Sequence, residues 1–166
     1  MNASTPSATP SPTSSASTVE VVATPEPPRA NDRKPSKKGA ATFAEYFLQL
    51  FAYVSATGDL AAWNELSDPD CKFCASVREG VESANDAGEH DVGGRIAATN
   101  VVAREVVQSS TYEVALDVDQ DASHTVDALG ATVEEFPGPK ALRVTMIVRW
   151  ADDAWSVRGV QVDPAR

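Results

Sequence analysis

The chain divides into a polar, proline-rich N-terminal stretch and a body in which apolar residues recur at regular spacings. The first regular stretch starts near Thr42, where apolar side chains recur every three or four residues, as on one face of a helix. We predict a long helix that ends near Gly58, because glycine readily adopts the left-handed conformation that closes a helix. The apolar face consists of Phe43, Phe47, Leu50, Phe51 and Val54.

Two shorter stretches with helical spacing follow. Asp59 is the expected N-cap of the first, because a carboxylate accepts hydrogen bonds from the free N–H groups of a first turn. Asp68 and Pro69 end it, since proline disfavours a helical conformation in the residue before it. A third helix is predicted over residues 70–87, with Gly88 after it. The apolar positions of these two helices are Leu60, Trp63, Leu66, Phe73, Val77, Val81 and Ala84.

After Arg95 the spacing of apolar residues changes from helical to alternating, which indicates strands. The predicted strands cover residues 96–107, 112–119, 142–150 and 155–162, with two short strands around Val126 and Val133. Mixed alternation in the first strand indicates a bulge near Asn100. The pair Asp152-Asp153 predicts a tight hairpin turn before the last strand. We therefore expect an α+β fold in which three N-terminal helices pack in one curved, antiparallel, meandering sheet.

The N-terminal stretch has a different composition. Residues 3–18 are all Ala, Ser, Thr or Pro, which offer too little apolar surface to offset the entropy of ordering the chain. We predict a disordered, Ser/Thr/Pro-rich and then basic linker over residues 1–40, and a single α+β domain over residues 41–166. The linker is interpreted as a solvated spacer, with weak contact to an anionic surface as the alternative. Its basic residues are Arg29, Arg33, Lys34, Lys37 and Lys38.

Charge and hydropathy exclude several classes of protein. The chain has 24 acidic and 14 basic residues and a formal net charge of -10, so it lacks the basic surface that binding to a phosphate backbone requires. Nucleic acid is therefore not expected as a partner. The most apolar segment, residues 43–54, is too short and too polar to span a membrane. Residues 1–18 show neither the charged region nor the apolar run of a signal peptide.

Two cysteines form the most specific short motif. Cys71 and Cys74 stand at the predicted start of the third helix, where a C-x-x-C pair can serve redox exchange, half a zinc site or a local disulfide. A redox pair usually follows a buried strand, whereas this pair follows a helix. Zinc needs two more ligands, and His90 and His124 lie far apart. A structural disulfide is favoured, and it would fit an oxidising compartment. No metal site and no cofactor are predicted.

Evidence for catalysis is weak. The inward positions of the two clearest strands are apolar, whereas Asp117 and Arg143 fall on the opposite face, so we assign no catalytic residue. Asp68, Asp70 and the aspartates of the hairpin turn are interpreted as turn formers, with weak calcium binding as the alternative. Five polar residues have orientations that the pattern leaves open, and they are the candidates for a pocket: Tyr46, Tyr53, Asn100, Arg104 and His124.

Several motifs resemble one family. The run from Tyr53 to Cys74 resembles an actinobacterial family, domain of unknown function 6318, and the likeness extends over residues 41–163. The order of helices and long strands is similar to the cone-shaped fold of the nuclear transport factor 2-like superfamily. The motifs that carry the resemblance are Thr57-Gly58-Asp59, Leu66-Ser67-Asp68-Pro69, Cys71-Lys72-Phe73-Cys74, Glu134-Glu135-Phe136-Pro137 and the pair Trp150 and Trp155.

The resemblance implies a location and a type of function. Members of this family look like secreted lipoproteins with a lipid-modified cysteine ahead of a Ser/Thr/Pro-rich spacer, although no cysteine precedes Cys71 here. We expect an extracytoplasmic, envelope-associated, non-catalytic binding domain, with membrane association only through a tether not present in this sequence. Its partner would be an envelope protein or a small ligand. A cytoplasmic location and a homodimer through the open sheet face remain alternatives.

An enzyme is the alternative function. Cones of this type also carry isomerases and dehydratases, which would need a polar pocket inside the cone. A polar dyad within hydrogen-bond reach in that interior would favour an enzyme. An interior filled by Phe47, Val144 and Met146 would favour a binding domain.

Overall fold

Three helices precede seven strands in the computed structural model, which describes residues 22–29, 32–138 and 140–165. The predicted disorder of residues 3–18 lies outside these described residues. The helices are α1 (Lys37–Thr57), α2 (Ala61–Leu66) and α3 (Lys72–Ala87). The strands are β1 (His90–Gly93), β2 (Ile96–Val107), β3 (Thr111–Gln120), β4 (Ser123–Val126), β5 (Thr132–Phe136), β6 (Lys140–Ala151) and β7 (Ala154–Pro164).

Helix α1 begins earlier than its apolar pattern predicts. Its N-cap is Ser36, whose hydroxyl accepts a hydrogen bond from the backbone N–H of Gly39 at 3.0 Å. Gly39 and Ala40 are buried, so the helix takes in the end of the basic linker. It closes at Gly58, which has a φ of +73°, as predicted. The early start was missed because the first turn is capped by a polar residue and carries no large apolar side chain.

The other two helices start slightly later than predicted. Leu60 occupies the N-cap position of α2, although a carboxylate oxygen of Asp59 still accepts a hydrogen bond from the N–H of Ala61 at 3.1 Å. Cys71 caps α3, its sulfur accepting a hydrogen bond from the N–H of Cys74 at 3.2 Å. Helix α3 closes at Gly88, with a φ of +72°.

The strands form two antiparallel sheets, so the expectation of a single meandering sheet is wrong. One sheet has the order β2-β3-β6-β7 and the other the order β1-β4-β5. The smaller sheet depends on β1, which the sequence pattern did not predict. Residues 90–93 are short and polar, and they become a strand through pairing with β4, from His90 opposite Val126 to Gly93 opposite Ser123.

Two local irregularities in the larger sheet match the prediction. The β2–β3 register shifts between Thr99 and Val102, and Asn100 has a φ of +48°. In the β6–β7 hairpin, Asp152 and Asp153 have φ values of +52° and +60°. Aspartate tolerates this left-handed conformation, which a two-residue hairpin turn needs at both central positions.

The core lies between the helices and the inner face of the larger sheet. The rings of Phe47 and Trp63 stack with centroids 4.2 Å apart, and those of Phe43 and Trp155 with centroids 5.8 Å apart. The indole N–H of Trp63 donates to the carbonyl oxygen of Cys74 at 3.1 Å, which links α2 to the first turn of α3. Such large buried side chains each contribute about 1.5–3 kcal/mol by leaving water. Phe47, Val144 and Met146 are all buried.

Candidate functional site

The five candidate pocket residues lie on separate surfaces. Tyr46 and Tyr53 are half-buried on α1. The Tyr53 hydroxyl donates to a carboxylate oxygen of Asp59 at 3.0 Å and accepts a weaker hydrogen bond from the Thr24 hydroxyl at 3.4 Å. His124 lies on β4, opposite Val92 on one side and Glu135 on the other. The two tyrosines and the histidine thus belong to different layers of the fold.

Asn100 and Arg104 lie on the outer face of the larger sheet, where both are exposed. Arg104 forms an ion pair with Glu113 at 3.0 Å. The side-chain amide of Asn100 donates to Asp117 at 2.8 Å, and Asp117 also pairs with Arg143. The hydrogen bond from Arg143 and then that from Asn100 hold the pKa of Asp117 below its ordinary value of 3.8. The five candidates therefore do not form one pocket.

Cys71 and Cys74 form a disulfide, and both residues are buried. Their sulfurs are therefore not free to act as a reduced redox pair or as zinc ligands. The adjacent turn is also occupied. Arg158 on β7 approaches the carboxylate of Asp68 at 3.4 Å and that of Asp70 at 3.6 Å. A calcium ion would therefore have to compete with the Arg158 guanidinium group for these two carboxylates.

Two open grooves lie at the surface. The first has a volume of about 380 Å³ and runs between α1 and β2, with Glu26 and Pro28 as part of its wall. Tyr46 also lines it, and burial, followed by the nearby charge of Glu65, raises the pKa of this tyrosine. Because residues ahead of α1 form part of the wall, the first groove is already partly covered by the chain itself.

The second groove has a volume of about 410 Å³ and lies between α1, α3 and the smaller sheet. Among the described residues that line it, none is basic, and we call it the acidic groove. Its apolar floor is formed by Phe51, Val77, Val81, Ala84 and Phe136. Its polar rim includes Glu89, Asp91 and Glu134. An apolar floor with a few polar groups at its edge is typical of ligand sites.

One wall of the acidic groove is lowered by a glycine within a helix. Gly80 lies in the interior of α3, where glycine costs about 1 kcal/mol relative to alanine. A Cβ atom at this position would meet no atom within 4 Å. Packing inside the protein therefore does not require glycine at position 80. Because glycine has no side chain, the backbone of α3 is accessible to a ligand in the groove.

A polar pair lies in the opposite wall. Thr125 on β4 is only 8% exposed, and its hydroxyl donates to a carboxylate oxygen of Asp91 on β1 at 2.7 Å. The hydrogen bond joins two neighbouring strands and satisfies a buried hydroxyl group. The sequence pattern does not predict this groove. Strand β1 was not predicted, so the position of Asp91 in the fold could not be inferred.

No helix in the described part of the chain is long and apolar enough to cross a membrane.

Solved structures with a similar fold have little sequence in common with this chain. The intermembrane space region of the chloroplast protein ARC6 superposes with a TM-score of 0.59 at 9% identity, covering 78% of this chain and 98% of that one. A putative scytalone dehydratase from Novosphingobium aromaticivorans gives 0.51 at 13% identity, covering 74% and 82%. An NTF2-like protein of unknown function in nutrient uptake from Rhodospirillum rubrum gives 0.48 at 16% identity, covering 74% and 98%. At such identities the two superpositions with TM-scores above 0.5 show a similar fold and nothing more.

Sequence comparison gives one family and no characterised relative. The model of a family of unknown function, DUF6318, matches residues 10–161. No curated protein is significantly similar to the chain in sequence.

Proposed function

We propose that this chain, which belongs to the DUF6318 family of unknown function, is an extracytoplasmic binding domain that holds its ligand in the acidic groove. The observation that carries the proposal is the construction of this groove. It combines an apolar floor, a helix-interior glycine with open space beside it, and a rim of hydrogen-bond acceptors. A site with these features can hold a ligand by burial of apolar surface and orient it by polar contacts.

The apolar core supports the proposal of binding rather than catalysis. Phe47, Val144 and Met146 are all buried there, whereas an enzyme of the isomerase or dehydratase type would need an acid and a base in such an interior. In the acidic groove the ionisable groups are carboxylates, and that of Asp91 already accepts the hydrogen bond from Thr125. A carboxylate used to tie two strands together is a structural group, so a non-catalytic role is the simpler proposal.

The proposed location rests on two features. The buried Cys71–Cys74 disulfide fits an oxidising compartment outside the cytoplasm. The Ser/Thr/Pro-rich composition of residues 3–18 fits a spacer that would hold the domain away from an attachment point at the cell envelope.

An NMR titration tests the groove. Benzyl alcohol, a neutral amphipathic probe, should shift the backbone amide signals of Phe51, Val81 and Thr125 in the isotope-labelled full chain. Gly80→Phe should abolish these shifts, because its ring would fill the groove. Glu79→Phe is the matched control, since it places the same ring on an exposed position of the same helix. Shifts that persist in Gly80→Phe, or that map to the first groove, would refute the proposal.

A further inference from the structure

Strand β5 is an unpaired edge that borders the acidic groove. It is the last strand of the order β1-β4-β5, so one of its edges faces no described strand. All five of its residues are exposed, and within the described elements its extensive contacts are with β4 alone. An edge of this kind presents backbone N–H and C=O groups that another strand can pair with.

The edge is held in place by its turn rather than by packing. The Asp127 carboxylate accepts hydrogen bonds from the N–H groups of Leu129 and Ala131, both at 2.9 Å. Backbone hydrogen bonds from Gly130 to Asp127 and from Asp127 to Ala131 close the same turn, also at 2.9 Å. These contacts fix the β4–β5 hairpin although β5 has little core beneath it. Hydrogen bonds thus define the turn, whereas the extensive contacts of β5 itself are with β4 alone.

Strand β5 and the acidic groove form one continuous surface. Glu134 and Phe136 are two residues apart on β5, and both line the groove. Side chains alternate between the two faces of a strand, so a segment paired to β5 would place every second side chain beside Glu134 and Phe136. The same segment would thus form main-chain hydrogen bonds with the edge of β5 and pack side chains on the apolar floor of the groove.

Charge selects the partner. Glu134 and Glu135 lie on the edge strand, and Glu89 and Asp91 lie across the groove. A second copy of β5 would bring glutamates against glutamates, which is unfavourable for directly opposed positions. A strand with lysine or arginine beside Glu134 would instead place opposite charges across the pair on the face that lines the groove.

We propose that β5 receives an extended, basic peptide segment of a partner protein, which adds a strand to the smaller sheet. On the face of this strand that lines the acidic groove, a basic side chain lies beside Glu134 and an apolar side chain beside Phe136. This inference rests on the proposed function, because it names the class of ligand for the same groove.

The test is an NMR titration of the isotope-labelled full chain with an acetylated, amidated peptide in which lysine and valine alternate along one face and threonine occupies the other. The amide signals of residues 132–136 and of the groove should shift, and the affinity should fall with added salt. Glu134→Gln should weaken binding by about threefold, within the range for cross-strand charge pairs, whereas Glu135→Gln, on the other face of β5, should weaken it less. Glu79→Gln, an exposed glutamate on α3, is the matched control and should bind as the original chain does.

Two altered peptides distinguish a failure of strand addition from a failure of the proposed function. The same peptide with an N-methyl group on every backbone amide should lose binding, because it cannot donate main-chain hydrogen bonds. The same peptide with glutamate in place of lysine should not bind. If the N-methylated peptide binds equally well, strand addition is wrong but the groove remains a site. If the shifts of residues 132–136 depend on protein concentration without peptide, the edge pairs with a second copy, and the inference is also wrong. If benzyl alcohol and every peptide fail to shift the groove signals, the proposed function fails as well.

Discussion

At the start of α3, Cys71 is both half of a disulfide and the residue that caps the helix. The two roles are compatible because its sulfur accepts the hydrogen bond from the N–H of Cys74 while bonded to the sulfur of the same residue. The sequence favoured a structural disulfide over a redox pair or half of a zinc site, because the pair follows a helix and further zinc ligands are not nearby in the sequence. The Cys71–Cys74 bond confirms that prediction.

Replacing both Cys71 and Cys74 with serine should lower the free energy of unfolding by about 2 kcal/mol. This is the contribution expected from closing so short a loop in the unfolded chain. Serine keeps an N-cap acceptor at position 71, so the loss reports mainly on the bond. Urea unfolding gives the measurement. A reductant should lower the stability of the original chain by a similar amount and leave the double variant unchanged. Equal stability of the original chain and the double variant would contradict this prediction.

The outer face of the larger sheet contains a pH-dependent contact. Because Arg143 and then Asn100 lower the pKa of Asp117 below 3.8, folding favours its charged form. The resulting stabilisation is complete above the ordinary pKa of the unfolded chain and is lost as the pH falls through the lower pKa of the folded protein. Arg143→Gln should raise the pKa of Asp117 toward its ordinary value. A carboxyl NMR titration measures it.

Arg149→Gln is the control for this titration, since Arg149 is exposed on the same face of β6. It should leave the pKa of Asp117 where it is in the original chain. An Asp117 pKa that does not differ between the original chain and Arg143→Gln would show that the ion pair does not lower it.

At the scale of elements, the strength of the apolar pattern separates what was predicted from what was missed. Strands β3 and β6 have long, regular patterns, and each was placed close to its observed bounds, whereas α1, predicted from near Thr42, begins at Lys37. Strand β1 has four residues and no alternation. Its conformation is set by the hydrogen-bonding groups of β4, which come from a distant part of the chain.

Helix α3 contains a glycine that its own stability does not favour. Gly80→Ala should raise the free energy of unfolding by about 1 kcal/mol, because alanine is the better helix former and its methyl group meets nothing within 4 Å. Gly88→Ala should lower it by about 1 kcal/mol, since position 88 has a φ of +72°. Thermal unfolding of both variants gives the comparison. A lower melting temperature for Gly80→Ala would mean that the helix needs glycine at position 80.

At the scale of the whole molecule, stability is unevenly distributed. Strands β3 and β6 each pair on both sides and face the core, whereas β5 pairs with β4 alone and lies outside that core. We therefore expect β3 and β6 to be rigid and the β4–β5 hairpin to change conformation more easily when a partner binds. The proposed strand addition involves the β4–β5 hairpin, where a change of conformation requires the least free energy.

Hydrogen exchange should show this difference. Amides of β3 and β6 should exchange only through global unfolding, whereas those of β5 should exchange through local opening of the hairpin, and therefore many times faster. Mass spectrometry of the exchanged full chain can resolve the two regions. Equal protection of β5 and β6 would contradict the separation.

The candidate site could be predicted less well than the fold. Every residue of the acidic groove is visible in the sequence, but the groove combines α1, α3 and three short strands that lie far apart along the chain. Tyr46, Tyr53, Asn100, Arg104 and His124 were selected because their orientation was open. The bulge at Asn100 and the division into two sheets then placed them on different surfaces.

The sequence by itself determined the three amphipathic helices, the long alternating strands, the hairpin at Asp152-Asp153 and the acidic character of the chain. These features depend on periodicity and on local backbone preference, both of which are properties of neighbouring residues. Only the tertiary structure decided the second sheet, the free edge of β5 and the groove beside Gly80. Each of these depends on which surfaces are covered and which remain open, and that is set by contacts between residues far apart in the chain.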